Sequence, residues 1–196
     1  MDKKTLQAYS ENAKAYSDDW LAQPSPEDTY QLLKEYFIPQ GKTADIGCGN
    51  GRDTAWLLKN DFSPEGFDSS QDLLTIAAKL NPKIHFQQTF LPKLENVVGP
   101  YDNVFCETVI MHLEKSLLAE SVRNLRRILK VGGVLYLSWR VTEGSDKRHV
   151  DGRLYASFSL EDIVSELQSD QVLHFEDKVS ESSKKRVCRL IIKKKN

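Results

Sequence analysis

Apolar and polar positions along this chain change period repeatedly, and the changes predict alternating helices and strands. Residues 1–40 are polar and helical in character, with Tyr9, Tyr16 and Trp20 interspersed. Pro24 and Pro26 interrupt that stretch. A second helix begins near Glu27 and carries Tyr30, Leu33 and Phe37 at helical spacing until Pro39 and Gly41 end it. Residues 43–46 read as a short strand, followed by glycines and a helix with Ala55, Leu57 and Leu58. A second strand ends near Asp68, and Ser69 or Ser70 caps a helix in which Leu73, Leu74, Ile76, Ala77 and Leu80 recur at helical spacing. Asn81-Pro82 stops it. Residues 84–87 and 101–106 read as the third and fourth strands.

A long helix is expected from there to Lys130, with Leu118, Val122, Leu125 and Leu129 on its apolar face. Arg123, Arg126, Arg127 and Lys130 would mostly face solvent, and Val131-Gly132-Gly133 would form the closing turn. Residues 134–139 are nearly all apolar, as in the buried middle of a parallel sheet. Ser159 with Asp162 reads as the cap of a further helix, and 173–179 and 186–192 as two strands. Lysines 193 to 195 read as a solvated tail. This order predicts an α/β fold: a doubly wound, mostly parallel sheet with a C-terminal antiparallel hairpin. The expected organisation is one domain over 1–196, with 1–40 as a helical cover and 41–196 as the core.

Composition narrows the class. With 196 residues, 40% hydrophobic and 28% charged, the chain is an ordinary globular one. Its 27 basic residues against 28 acidic ones supply no overall field for nucleic acid. No apolar run approaches a bilayer span, and Met1-Asp2-Lys3-Lys4 does not open a signal peptide, so a cytoplasmic location is expected. Cys48, Cys106 and Cys188 form no paired motif, which fits a reducing compartment. His85, His112, His149 and His174 are scattered, so the spacing proposes no metal.

The chemistry concentrates in Asp45-Ile46-Gly47-Cys48-Gly49-Asn50-Gly51-Arg52-Asp53, where the first strand turns into a helix. Glycines there allow a tight turn and close approach of a ligand. The second strand ends in Asp68, whose carboxylate can accept hydrogen bonds from both hydroxyls of a ribose. A dinucleotide turn would have its third glycine one place later, where Arg52 stands, and Asp45 would repel a pyrophosphate. Asp45 suits a ligand with an ammonium group. S-Adenosylmethionine carries an ammonium and a ribose and no phosphate; a nicotinamide cofactor and a ligand-free turn are the competing readings.

These residues resemble the first two motifs of the class I S-adenosylmethionine-dependent methyltransferases, Asp45 to Gly51 and Gly66-Phe67-Asp68-Ser69. The likeness continues through Tyr101 to Cys106 and through Leu125 to Leu137, and runs from about Thr43 to Trp139. Gly51-Arg52-Asp53-Thr54-Ala55-Trp56, Met111-His112-Leu113 and the Leu137-Ser138-Trp139-Arg140 strand end resemble a bacterial branch with few known substrates. The resemblance implies a seven-stranded sheet with S-adenosylmethionine across its carboxyl edge. Asp45, Gly47, Cys48 and Gly49 would surround the methionine part. Asp68, with Ser69, would hold the ribose, and Cys106 and Glu107 would lie near the sulfonium. The family's acidic residue after the third strand is missing, which leaves Thr89 and Phe90 as the adenine candidates.

Methyl transfer needs alignment and exclusion of water more than a dedicated base. His112, past the fourth strand, could deprotonate an acceptor. Arg140 could hold an anionic substrate, and Arg153, with Tyr155, lies in a loop that could cover the site. Tyr16 is expected over the ligand's carboxylate, which Arg52 could neutralise instead. Each has a plain reading as a packing or surface group. The chain has no motif of the base-modifying enzymes and little length for a docking surface, so a small-molecule acceptor (at O, N or S) is expected, for a monomer or homodimer. The alternative is a non-catalytic sensor that binds S-adenosylmethionine and releases no product.

Overall fold

The computed structural model describes residues 1–196 and contains one large sheet with helices on both faces. Three helices come first: α1 (Lys3–Glu11), α2 (Ala13–Ala22) and α3 (Glu27–Tyr36). The alternating part follows as β1 (Lys42–Ile46), α4 (Arg52–Lys59), β2 (Ser63–Asp68), α5 (Gln71–Leu80), β3 (His85–Gln88) and β4 (Tyr101–Cys106). After two short 3-10 turns come α6 (Leu118–Arg127), β5 (Leu129–Arg140), β6 (Lys147–Arg148), β7 (Leu154–Tyr155), α7 (Glu161–Val164), β8 (Gln171–Val179) and β9 (Arg186–Lys193). The seven-stranded sheet has the order β3-β2-β1-β4-β5-β9-β8. Its first five strands are parallel, and β9 runs antiparallel to both β5 and β8. This is the doubly wound sheet with a C-terminal hairpin that the pattern of the chain predicts.

The pleat assigns successive residues to opposite faces, and both faces are covered. Val104, Cys106, Leu135, Leu137, Leu190 and Ile192 join Val122 and Leu125 of α6 in the larger core. Phe105, Val134, Tyr136 and Ile191 point the other way, against Tyr30 and Leu33 of α3 and Leu57 of α4. Burying each aliphatic side chain of this kind stabilises the fold by about 1.5–3 kcal/mol. That is why β5 is apolar at consecutive positions.

Several elements differ from the sequence reading. Asn12 separates α1 from α2, so the cover holds one more helix than expected. The helix expected to reach Lys130 stops at Arg127, and Leu129 already pairs with Tyr101 in the sheet. Its apolar spacing continues past the helix only because Leu129 is buried as a strand residue. Arg126 does not face solvent freely; it is held by Asp170 at 2.7 Å. Ser159 and Asp162 are bonded, with Asp162 accepting from the Ser159 N–H at 2.8 Å, but the helix that follows is one turn long and begins after Leu160 with no side-chain cap. The lysine tail is also engaged: Lys193 ends β9, and Lys194 Nζ donates to the Arg126 and Leu129 carbonyls at 3.0 and 2.7 Å. The β6–β7 hairpin has no counterpart in the sequence pattern, since two residues per strand leave no period to detect. No helix is long and apolar enough to cross a membrane.

Candidate active site

The carboxyl ends of β1, β2 and β4 open a cleft where the chain winds away from β1 in both directions, the usual place for a ligand in such sheets. The turn after β1 is tied to its neighbour: the Gly47 and Cys48 N–H groups both donate to the Phe67 carbonyl, at 2.6 and 3.0 Å. Gly47 and Gly49 have φ of 84° and 55°. A Cβ on Gly47 would lie 2.2 Å from Val109 Cγ2, and one on Gly49 2.8 Å from Trp20 Cζ3. Both conformation and close approach therefore require glycine.

Asp68 braces this turn. Its Oδ2 accepts from the Gly49 N–H at 2.9 Å and its Oδ1 from the Ser70 N–H at 2.8 Å. Ser70, not Ser69, caps α5, accepting from the Leu73 N–H at 3.3 Å. Burial raises the proton affinity of Asp68, and the N–H groups of Ser70, Gly49 and Ser69 oppose that shift. Each carboxylate oxygen has a second lone pair, and the residue stands in the cleft wall.

The cleft has two joined lobes. The first, about 650 Å³ of empty space with its mouth, is lined by Gly47, Gly49, Asp68, Ser69, Thr89, Glu107 and His112 over an apolar floor of Ile46, Phe67, Leu73, Leu91 and Val109. That size and character suit a small molecule. Thr89 Oγ1 is buried there with no partner, an arrangement that costs about 1–3 kcal/mol until something bonds it. The second lobe, about 900 Å³, shares Gly47, Gly49, Glu107 and His112 and adds Cys48, Arg52, Arg140, Arg153 and Tyr155. Between the lobes, Glu107 Oε2 accepts from Ser138 Oγ at 2.6 Å, and Ser138 accepts from the Thr108 N–H at 2.9 Å. Thr108 is held at φ 55°, the strained kind of backbone often found at sites.

Four residues singled out from the sequence lie elsewhere. Asp45 is 2% exposed and faces the Thr54 hydroxyl at 2.6 Å, behind the glycine turn. Burial pushes its carboxyl up to about 8, so it is largely neutral and offers little to an ammonium group. Cys106 is fully buried because the pleat turns it into the core; burial pushes its thiol up, and its successor Glu107 takes the cleft position. Phe90 is exposed and does not line either lobe, whereas Thr89 is buried in the wall of the first. Tyr16 donates to Asp151 Oδ2 at 2.9 Å and stands outside the cleft wall, where Tyr9 and Trp20 stand instead. Arg52 does line the second lobe, but its guanidinium is engaged by Asp53 at 2.9 Å and by the Trp20 carbonyl at 3.1 Å.

Tyr9 and Trp20 were visible as aromatics in the cover, yet nothing local marked which of the three would face inward. Tyr16 stacks on Trp20, one turn along α2, with ring centroids 5.9 Å apart. The Tyr9 hydroxyl meets His112 Nε2 at 3.0 Å, and His112 Nδ1 lies 2.5 Å from the Leu154 carbonyl. A carbonyl only accepts, so Nδ1 carries the proton and Nε2 receives the Tyr9 hydroxyl. Burial lowers His112 to about 4, against the opposing pull of the Leu154 bond, and keeps it neutral. Arg153 is clamped by Asp151 at 2.9 Å, with its guanidinium 4.9 Å from the Tyr16 ring centre and 5.5 Å from that of Tyr9.

Residues 44–133 match a family described as a methyltransferase domain. In fold the chain is similar to S-adenosylmethionine-dependent methyltransferases. Among individual proteins, it is 32% identical over 133 residues to one named as a methyltransferase in Geobacillus sp. (strain WCH70), covering 62% of this chain and 53% of that one. The chain spans about half the length of the curated relatives it matches. In fold it is similar to an S-adenosylmethionine-dependent methyltransferase of Anabaena variabilis, with a TM-score of 0.78 at 20% identity over 99% of this chain and 96% of that one. The 1,6-didemethyltoxoflavin-N1-methyltransferase of Burkholderia thailandensis, solved with its substrate and S-adenosylhomocysteine, gives a TM-score of 0.78 at 14% identity, covering 98% of this chain and 88% of that one.

Proposed function

We propose that this protein transfers the methyl group of S-adenosylmethionine to an oxygen, nitrogen or sulfur atom of a small molecule. The observation that carries the reading is the brace of Asp68 on the glycine turn, beside a lobe whose wall holds an unpartnered Thr89 hydroxyl. Asp68 would accept from the ribose hydroxyls, and Thr89 would bond the adenine edge above the Leu91 and Leu73 side chains. Gly47, Gly49 and Glu107 would surround the methionine part, with Cys48 beside them and Ser69 beside Asp68 at the ribose.

When bound, S-adenosylmethionine supplies a methyl group already activated by its positive sulfur, whose departing bond pair returns to that sulfur. The chain's own part is to align an acceptor lone pair and shed water, which Trp20 and Tyr9 favour by roofing the joint of the two lobes. His112 acts as a positioning residue for the Tyr9 hydroxyl, because its one free lone pair is already committed there. The similarity of the fold to an enzyme solved with bound 1,6-didemethyltoxoflavin, a small molecule, supports an acceptor of that scale.

Calorimetric titration with S-adenosylhomocysteine tests the cleft. Binding of the wild type is expected, with a loss of about 1.5–3 kcal/mol in Asp68→Ala from the missing charge-assisted hydrogen bonds. Unchanged affinity in a folded Asp68→Ala protein would remove the ribose assignment. Tight binding of S-adenosylmethionine without release of S-adenosylhomocysteine, whichever small acceptor is tried, would favour the sensor reading.

A further inference from the structure

One guanidinium at the cleft has no partner within the protein. Arg52, Arg148, Arg153 and Arg186, which surround it, are each within 2.9 Å of a carboxylate oxygen. Arg140 forms no salt bridge and no side-chain hydrogen bond, and its Nε is buried without an acceptor. The residue is not loose. It ends β5, its backbone N–H donates to Met111 Sδ at 3.3 Å, and its guanidinium carbon lies 5.9 Å from the Tyr155 ring centre.

Its position is as specific as its lack of a partner. Arg140 lines the second lobe with Glu107, Thr108 and His112, and it also lines an outer vestibule of about 1220 Å³ including open solvent. The vestibule wall contains Lys147, Arg148, His149, Lys185 and Arg186 and no carboxylate residue. The acidic partners Asp2, Glu143, Asp151 and Asp177 hold several of these cations without entering that wall. A half-buried, always-charged planar fork at the inner end of a basic vestibule is matched by a planar or tetrahedral oxyanion.

We propose that the methyl acceptor carries a carboxylate or phosphate group and that Arg140 binds it. This rests on the methyl-transfer reading of the cleft. The anionic end enters through the vestibule and seats on Arg140, with Arg153 and Tyr155 beside it. The nucleophilic end then lies toward Glu107 and Thr108, where the two lobes meet. Arg140 is thus a specificity residue: it selects acids over their neutral amides or esters.

The test is calorimetry on protein saturated with S-adenosylhomocysteine, titrated with sodium phosphate and separately with sodium acetate at fixed low ionic strength. One-site binding of at least one anion is expected, weakened about tenfold or more in Arg140→Ala. Lys79→Ala on α5 removes the same charge away from the cleft and is expected to change affinity less than about twofold. A phosphate preference would point to a phosphoryl-bearing acceptor and an acetate preference to a carboxylic acid; either supports the site. Absence of binding by both anions, or equal binding by wild type and Arg140→Ala, overturns it. The preceding S-adenosylhomocysteine titration separates the two readings. Its failure strikes the cofactor lobe, whereas its success with no anion binding strikes the Arg140 proposal alone.

Discussion

A carboxyl group takes its proton affinity from its surroundings, and Asp45 has almost no water around it. Burial raises it from 3.8 to about 8, with the Thr54 hydroxyl opposing the shift and Asp53 and Asp68 adding to it. The unfolded chain gives up this proton above pH 4, while the folded chain keeps it until near pH 8. Over that window the folded state binds more protons, so stability from Asp45 is complete below pH 4 and is lost as pH rises through 8. Asp45→Asn keeps an acceptor for Thr54 and removes the cost of the charge. It is expected to raise the melting temperature at pH 8 by several degrees, at about 2–4 °C per kcal/mol for a chain of this size, and by much less at pH 5. Equal melting shifts at the two pH values would show that Asp45 is not protonated in the fold. Its sequence position before the glycines marks it as part of the turn. That it points behind the turn is decided by α4 packing over it, which no local pattern reveals.

At the scale of elements, the glycine turn works only with the segment after β4. Gly47 at φ 84° faces Val109, with room for hydrogen and none for a methyl group. Gly47→Ala is expected to lose about 2–4 kcal/mol in urea denaturation, from left-handed strain together with overpacking, and to weaken S-adenosylhomocysteine binding. Val109→Ala in the same chain removes the clash and leaves the strain, so it should recover only part of the loss. Full recovery would show that the backbone conformation costs nothing. The legibility of these elements follows from how local each signal is. β1, β4 and the turn are marked by short apolar stretches and glycines, and β2 by the Gly66-Phe67-Asp68 end that places Asp68 at a strand terminus. The N-terminal cover is marked as helical too, but its inward face depends on partners such as His112, 103 residues from Tyr9. The pairing of Tyr16 with Asp151 across 135 residues, which takes Tyr16 out of the cleft, is of the same kind. The end of α6 misleads because Leu129 satisfies helical spacing and strand burial at once.

Across the whole molecule, the cover is fastened to the last strand by a charge inside the protein. Arg189 of β9 is fully buried on the face of the sheet that packs against α3. It pairs with Asp28 of α3 at 2.8 Å and with Glu176 of β8 at 2.8 Å. Nothing in the run Arg186 to Lys193 distinguishes this arginine from an exposed one, since its partners come from opposite ends of the chain. A buried cation between two carboxylates gains little over an apolar cluster of equal volume, but removing one member strands the others. Arg189→Met is therefore expected to cost about 3–5 kcal/mol in denaturant unfolding, and little of that should be recovered by salt. Replacing Asp28 and Glu176 by leucine and methionine in the same chain should restore most of it. The consequence reaches the site, because Pro26 and Thr29 at the start of α3 line the second lobe. A loosened α3 lowers that wall. The single variant should then bind S-adenosylhomocysteine more weakly at a temperature where it is still folded, and the triple variant should regain affinity along with stability. A loss below about 1 kcal/mol in Arg189→Met would mean that apolar packing alone docks the cover, and the link between the last strand and the cleft would fail with it.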